Sequence, residues 1–157
     1  MSTVAQIRAA IVAKHAAVAD VGAVHEYERY VREEAKFRDL FVVDQVGGTK
    51  QLRGWWWRRV ATQERTLSTA TVMNVHTWQA RGYMALNDDD ATELDFDAQI
   101  EAFRDAVRLD PTFGGVCDQN SMNDEDDGVQ LLDAGPVKFC GVLCHSAVLQ
   151  LKTWSYL

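Results

Sequence analysis

The feature that most constrains this chain is a stripe of apolar residues at helical spacing, formed by Phe96, Ile100, Phe103 and Val107. Side chains spaced by three or four positions lie on one side of an α-helix, and the other side here is charged. Such a helix is stable in water only when its apolar stripe is buried against another element. An acidic turn, Asn87 to Asp90, favours the start of this helix. The sequence therefore predicts an amphipathic helix that ends at Asp110-Pro111 and packs on a sheet.

Two long segments before this helix have the composition of β-strands, Leu52 to Leu67 and Thr71 to Leu86. Both contain many β-branched and aromatic residues, and the polar stretch between them suits a hairpin connection. Side chains alternate between the two faces of a strand. We therefore expect Trp55 and Trp57 on one face, and Trp56 with Arg58 on the other.

The remaining segments complete an α+β pattern. Thr3 and Gln6 have the spacing of a capping box, which predicts a first helix to about Ala17. Weaker patterns predict five further elements: an extended Gly22–Tyr30, a second helix over Val31–Phe41, a short strand at Val129–Asp133, a turn at Gly135-Pro136 and one or two strands within Val137–Trp154. Short connections favour antiparallel pairing, so we expect one domain, residues 1–157, with an antiparallel sheet and helices packed on one face.

Length and composition agree with a folded domain. The chain has 157 residues, of which 47% are hydrophobic. That is enough to form a core without disulfides or a structural metal. We expect no signal peptide and no membrane-spanning segment, and hence a location in the cytoplasm of the producing cell. The segment Gly114–Gly128, which carries four adjacent acidic residues, is predicted to be a mobile loop.

Charge is distributed unevenly along the chain. Residues 1–86 contain 12 basic and 8 acidic residues, whereas residues 87–157 contain 4 and 15, within a net charge of -7. An acidic chain repels nucleic acid on average, so we expect no direct nucleic-acid readout. We interpret the asymmetry as a means of pairing unlike faces of neighbouring copies. The candidate interface residues are Arg29, Arg53, Arg58, Arg59 and Trp56 on the basic side, and Asp88, Asp89 and Asp90 on the acidic side.

The sequence contains no established catalytic motif. It lacks a Gly-x-x-x-x-Gly-Lys phosphate-binding loop, a Gly-x-Gly-x-x-Gly fingerprint and a Gly-x-Ser-x-Gly nucleophile motif. Three alternatives stay open: a divalent cation at the Asp88 or Asp124 clusters, a metal held by Cys140, Cys144 and His145, and a stacking platform at Trp55–Arg59 for single-stranded nucleic acid. We favour capped or solvated acidic segments, three reduced and mostly buried thiols, and a protein interface, with no cofactor.

Several segments together resemble the tail terminator proteins, a group of minor tail proteins of long-tailed bacteriophages. The resemblance comprises the N-terminal amphipathic helix, Val24–Tyr30, Gly54-Trp55, Val75–Trp78, the turn leading to Thr92-Glu93 with its helix, and Val137–His145. It covers most of the chain, although the acidic segment around Asp124 has no place in the pattern.

This resemblance implies a non-enzymatic virion protein that forms a hexameric ring. Such a ring caps the tail tube at its head-proximal end, in contact with the tube protein and the head–tail connector, after assembly in the host cytoplasm. It implies no diagnostic functional residues, so the interface candidates above come from physical arguments alone. The alternatives are a head-completion or connector protein at the head–tail joint, and a carboxylate-based metal-dependent nuclease.

Overall fold

A computed structural model describes residues 2–45, 47–118 and 128–156. The described part contains the helices α1 (Val4–Ala16), α2 (Glu34–Asp39) and α3 (Thr92–Leu109). Its strands are β1 (Ala23–His25), β2 (Val42–Asp44), β3 (Lys50–Ser68), β4 (Thr71–Ala85), β5 (Val129–Phe139) and β6 (Val142–Tyr156). The α+β class is therefore confirmed.

The sheet has the strand order β1-β3-β4-β6-β5, and β2 also pairs with β3. The pairs β3–β4, β4–β6 and β5–β6 are antiparallel, as predicted. However, β1 runs parallel to β3, with Ala23 opposite Gly54. The sheet is thus mixed, because the chain passes through α2 and β2 between β1 and β3 and re-enters in the same direction.

Three consecutive tryptophans on β3 divide the interior into two clusters. Trp55 and Trp57 are fully buried beneath α1 and α3. Trp56 points to the opposite face and is buried with Phe41 and Leu52. The side chain of Phe37, on α2, packs against this second cluster. The alternation is confirmed, but α2 lies on the opposite side of the sheet from α1 and α3, whereas the sequence predicted all helices on one face.

The C-terminal hairpin differs from its prediction. The expected turn at Gly135-Pro136 lies inside β5, where Pro136 pairs with His145. Proline is tolerated there because β5 is an edge strand. The turn is instead formed by Cys140 and Gly141, both with positive φ, 47° and 77°. Two-residue hairpin turns with positive φ at both positions match the twist of the strands they join.

The helix boundaries follow local rules to different degrees. The capping box is confirmed, because Thr3 Oγ1 accepts from the Gln6 amide and Gln6 Oε1 accepts from the Thr3 amide. Helix α2 has only six residues and is shorter than expected.

Most of the predicted mobile loop, residues 119–127, lies outside the described residues. Among the helices described, none combines the length and the apolar character needed to cross a bilayer.

The apolar stripe of α3 generates a stability prediction. Phe103 is fully buried and its ring packs 5.6 Å from that of Trp57. We expect Phe103→Ala to lower the free energy of unfolding by about 3–5 kcal/mol, because it removes buried surface and leaves a cavity. Leu94→Ala, on the exposed side of the same helix, should change it by less than about 0.5 kcal/mol. Urea unfolding of both variants checks this, and equal losses would contradict the burial.

The close approach of β3 and β4 generates a second prediction. A Cβ added at Gly82 would lie 2.4 Å from ring atoms of Trp55, whereas one added at Gly135 would meet nothing within 4 Å. We expect Gly82→Ala to destabilise the fold by about 1–3 kcal/mol through overpacking. Gly135→Ala, in an edge strand of the same sheet, is the matched control. Thermal unfolding distinguishes them, and a Gly82 variant as stable as its control would show that Trp55 does not lie on that glycine.

Candidate assembly surfaces

An acidic surface lies at the N-terminal end of α3. It consists of six exposed carboxylates: Asp88, Asp89, Asp90, Glu93, Asp95 and Asp97. No basic residue occurs in the sequence between Asn87 and Phe103. Negative charge is favourable at this position, because the first turn of a helix exposes unpaired N–H groups and the positive end of the helix dipole. The local fold therefore tolerates a concentration of charge that can attract a basic partner.

The second half of α3 differs, because its acidic residues are paired. Arg104 donates to Glu101 at 2.7 Å, and Arg108 forms ion pairs with Asp105 and, at 3.7 Å, with Glu101. These exposed pairs contribute little to stability, but they neutralise that end of the helix surface. The acidic character is thus concentrated at the N-terminal end.

A basic surface lies on the opposite side of the sheet. Trp56 pairs with Arg81 across β3 and β4, and Arg65 pairs with Met73. Since paired residues point to the same side of a sheet, Arg58, Arg65 and Arg81 all project from the Trp56 side. Lys152, half-buried and opposite Thr77, also projects from this side, as does the acidic Asp133 on β5. The strands therefore present a predominantly basic surface on this side, beside the mixed charges of α2.

Two of the predicted interface residues are buried within the chain. Arg53 donates from Nη1 to the Asp20 carbonyl at 2.7 Å and from Nη2 to Gln51 Oε1 at 2.8 Å, and it is 7% exposed. Trp56 is 4% exposed. The sequence predicts both at the surface, but the segment after α1 encloses Arg53 and α2 covers the Trp56 face. Neither is exposed on the outer surface of the domain, although Arg53 lines the groove described below.

The other candidates lie at or near the surface, but some of them already make contacts within the chain. Arg58 bonds Glu28 at 2.9 Å and lies over the Trp56 ring at 5.5 Å. Arg29 is half-buried and lies over the ring of Tyr27 at 5.3 Å. Arg59 and Asp88–Asp90 are exposed. The burial of all three ring systems in Trp55–Trp57 also removes the exposed ring that the stacking platform needs.

Residues 58–70, the hairpin arm, form the exposed second half of β3 and the turn that follows it. All thirteen of these residues are exposed. The facing residues of β4 pair with β6 as far as Met73, so only the end of the hairpin extends beyond the sheet. The outer edge of β3 pairs with β2 up to Leu52 and with β1 up to Trp56, and beyond Trp56 no described strand pairs with it. Its large exposed apolar residues are Val60 and Leu67, at 40% and 55% exposure. The sequence predicted the hairpin but not that half of β3 leaves the core.

A groove between α1 and α3 was not predicted. It consists of two adjoining pockets of about 510 and 570 Å³, which share Val18, Ala19 and Ala102. Alanines from both helices form much of its wall: Ala10, Ala13, Ala98, Ala102 and Ala106. Volumes of this size are typical of binding pockets, about 300–1,000 Å³. The sequence signal was the row of small side chains on both helices, which leaves space where larger residues would meet.

The two ends of the groove have different polar groups. Lys14 on α1 bonds Asp110 after α3 at 2.9 Å. This contact, together with hydrogen bonds from the Gly114 amide and the Thr112 hydroxyl, lowers the pKa of Asp110 to about 2. At the other end the wall contains Asp20, Asp95, Arg53 and Gln99. Arg53 and Gln99 are each 7% exposed, and Arg53 Nε and Gln99 Oε1 have no hydrogen-bond partner among the described residues.

His15 is the one fully buried histidine among the residues that the structure describes. Its Nδ1 accepts a hydrogen bond from Trp57 Nε1 at 2.9 Å, and its ring stacks on Phe103 at 4.3 Å. Burial lowers its pKa to about 3, so the ring is neutral at ordinary pH. The signal was available in the sequence, because His15 continues the stripe of Ile7 and Ile11 at helical spacing.

The cysteines do not form the arrangement that a zinc site requires. Cys140 lies in the hairpin turn, and Cys144 is buried in β6, so the two do not share one strand face. Burial raises the pKa of Cys117 and Cys144 to about 11, which keeps both thiols protonated. Within the described residues, no three His, Cys, Asp or Glu side chains converge as a metal site would need.

No protein-family model matches the chain, and no curated protein is significantly similar to it. The surfaces above therefore have to be interpreted from their own chemistry.

The burial of His15 predicts a pH dependence of stability. Its pKa is about 3 in the folded chain against 6.5 without burial. As pH falls below 6.5 the unfolded chain binds the proton first, so the free energy of unfolding should fall by about 1.4 kcal/mol per pH unit. His15→Gln keeps an acceptor for Trp57 but does not titrate. Between about pH 6.5 and 4.5, above the titration of Asp110, the wild type should lose more stability than this variant. If urea unfolding shows that the wild type and the variant lose the same stability as pH falls, His15 is not buried as a neutral ring.

Proposed function

We propose that this chain is a structural virion protein of the tail terminator kind, whose copies associate into a ring. The observation that carries the proposal is the separation of charge: the acidic surface projects from the α3 side of the sheet, and the basic surface projects from the other side. One copy can therefore offer unlike surfaces to two neighbours.

A contact between unlike surfaces is heterologous. Such contacts produce a closed ring when the rotation from one copy to the next divides a full turn, and an open filament when it does not. Charge complementarity selects the partner and its orientation, while apolar groups supply most of the affinity. The chain also has exposed apolar side chains near charged ones, such as Leu67 on the hairpin arm and Leu94 on α3.

The proposed partners are other copies of this chain, the tail tube protein and the head–tail connector, and the proposed location is the head-proximal end of the tail. The resemblance to tail terminators supports these partners and this location. The charged surfaces support the association between copies. A head-completion protein would use the same kind of contact. Binding to the end of a purified tail tube separates the two, since a head-completion protein binds the head instead.

The assembly should depend on salt. Exposed opposite charges attract one another less as the screening length falls to about 3 Å at 1 M salt. We expect sedimentation velocity to show an oligomer of defined size at low salt that dissociates as salt rises. Asp88→Asn, Asp89→Asn and Asp90→Asn combined should weaken association and flatten its salt dependence.

The matched control removes three charges from the α2 side, with Glu33→Gln, Glu34→Gln and Asp39→Asn. Because these residues lie on the same side of the sheet as the basic surface, the control should associate at least as strongly as the wild type. A wild type that remains monomeric at low salt and high protein concentration would contradict the ring, and an oligomer insensitive to salt would contradict its electrostatic basis.

A further inference from the structure

We infer that the tip of the hairpin arm, residues 65–70, binds in the groove between α1 and α3 of a neighbouring copy. This inference rests on the proposed ring and names the two surfaces that form its contact. The occupant of the groove is thus a second copy of this chain.

The arm cannot reach the groove of its own chain. Arg53 lines the groove, and Leu67 lies fourteen residues further along the same extended strand. At about 3.3 Å per residue, the two positions are roughly 45 Å apart. The contact must therefore be made between copies, and because arm and groove are different surfaces, it is heterologous, as a ring requires.

The chemistry of the tip matches that of the groove. The tip presents one exposed apolar side chain, Leu67, two residues from the exposed Arg65. The groove has an apolar wall of alanines, with exposed Asp20 and Asp95 at one end. Leu67 would bury its side chain against the alanines, while the guanidinium of Arg65 meets the carboxylate of Asp95. The arm as a whole carries three arginines and one glutamate, and thus opposes the acidic surface that adjoins the groove.

The groove also contains polar groups that lack partners. Arg53 Nε is a donor and Gln99 Oε1 is an acceptor, and neither has a partner among the described residues. Buried polar atoms are normally hydrogen-bonded, so such orphans need an explanation. Both side chains line the groove, so a strand that docks there brings peptide carbonyl and N–H groups close to these two side chains.

Charge reversal on both surfaces tests the inference. Arg65→Glu places a carboxylate opposite Asp95, and Asp95→Arg places a guanidinium opposite Arg65, so each variant alone should associate at least about tenfold more weakly than the wild type. An equal mixture of the two variants has an attractive pair at every contact. One contact joins the introduced carboxylate of the arm to the introduced guanidinium of the groove, and the next joins the native Arg65 to the native Asp95. The mixture should therefore regain the wild-type oligomer in sedimentation.

Two matched controls separate this contact from general electrostatics. Lys50→Glu makes the same charge change as Arg65→Glu at the far end of β3, and Asp105→Arg makes that of Asp95→Arg on α3, outside both the groove wall and the acidic surface. Both should associate within about twofold of the wild type. Circular dichroism confirms that every variant is folded.

The outcomes for the contact and for the ring can be distinguished. Single variants that associate like the wild type, or a mixture that stays dissociated, would overturn the arm-in-groove contact and leave the ring proposal intact. A wild type that never associates would overturn the ring, and this inference with it.

Discussion

Three adjacent indoles on β3 must be buried on opposite sides of one sheet, and the rest of the domain follows from that requirement. Trp55 and Trp57 need the cover that α1 and α3 supply, and Trp56 needs the cover that α2 supplies. The rings are too large to fit above ordinary neighbours, so the strand opposite Trp55 carries Gly82. The polar edge of Trp57 requires an acceptor, which is a buried histidine. One short segment thus dictates which elements lie on each face.

The sheet also separates the charges of the molecule. The excess of acidic residues in the second half of the sequence becomes a carboxylate-rich end of α3, and much of the basic excess of the first half lies on β3 and β4. A layer of low-dielectric core lies between them, so the two surfaces are presented in opposite directions instead of neutralising each other. The uneven distribution of charge along the sequence thus gives the folded domain two oppositely charged sides. A contact between copies that has a fixed direction requires two unlike sides of this kind.

The elements predicted well were those whose signal is local. The stripe from Phe96 to Val107 and the Thr3 capping box depend only on neighbours within a turn or two. The errors concern tertiary context. Nothing within β1 indicates that it joins β3 in parallel, and Gly135-Pro136 has the same turn signal whether or not it lies in an edge strand. Arg53 and Trp56 have the composition of an interface, but α2 and the segment after α1, whose own patterns are weak, cover them. The groove between α1 and α3 is a space between elements, which no single segment encodes.

The topology has a consequence for how the chain reaches its folded state. Strands β3 and β4 are neighbours in sequence, so their hairpin can form with little loop-closure entropy. Completion of the sheet is different, since Trp78 bonds Thr153 across 75 residues. Until α3 and β6 arrive, a hairpin with four indoles stands open to water, a condition in which chains aggregate. During synthesis this interval lasts until β6 has left the ribosome, so the yield of folded protein depends on that strand. Loss of β6 would leave Trp78 without its hydrogen-bond partner Thr153.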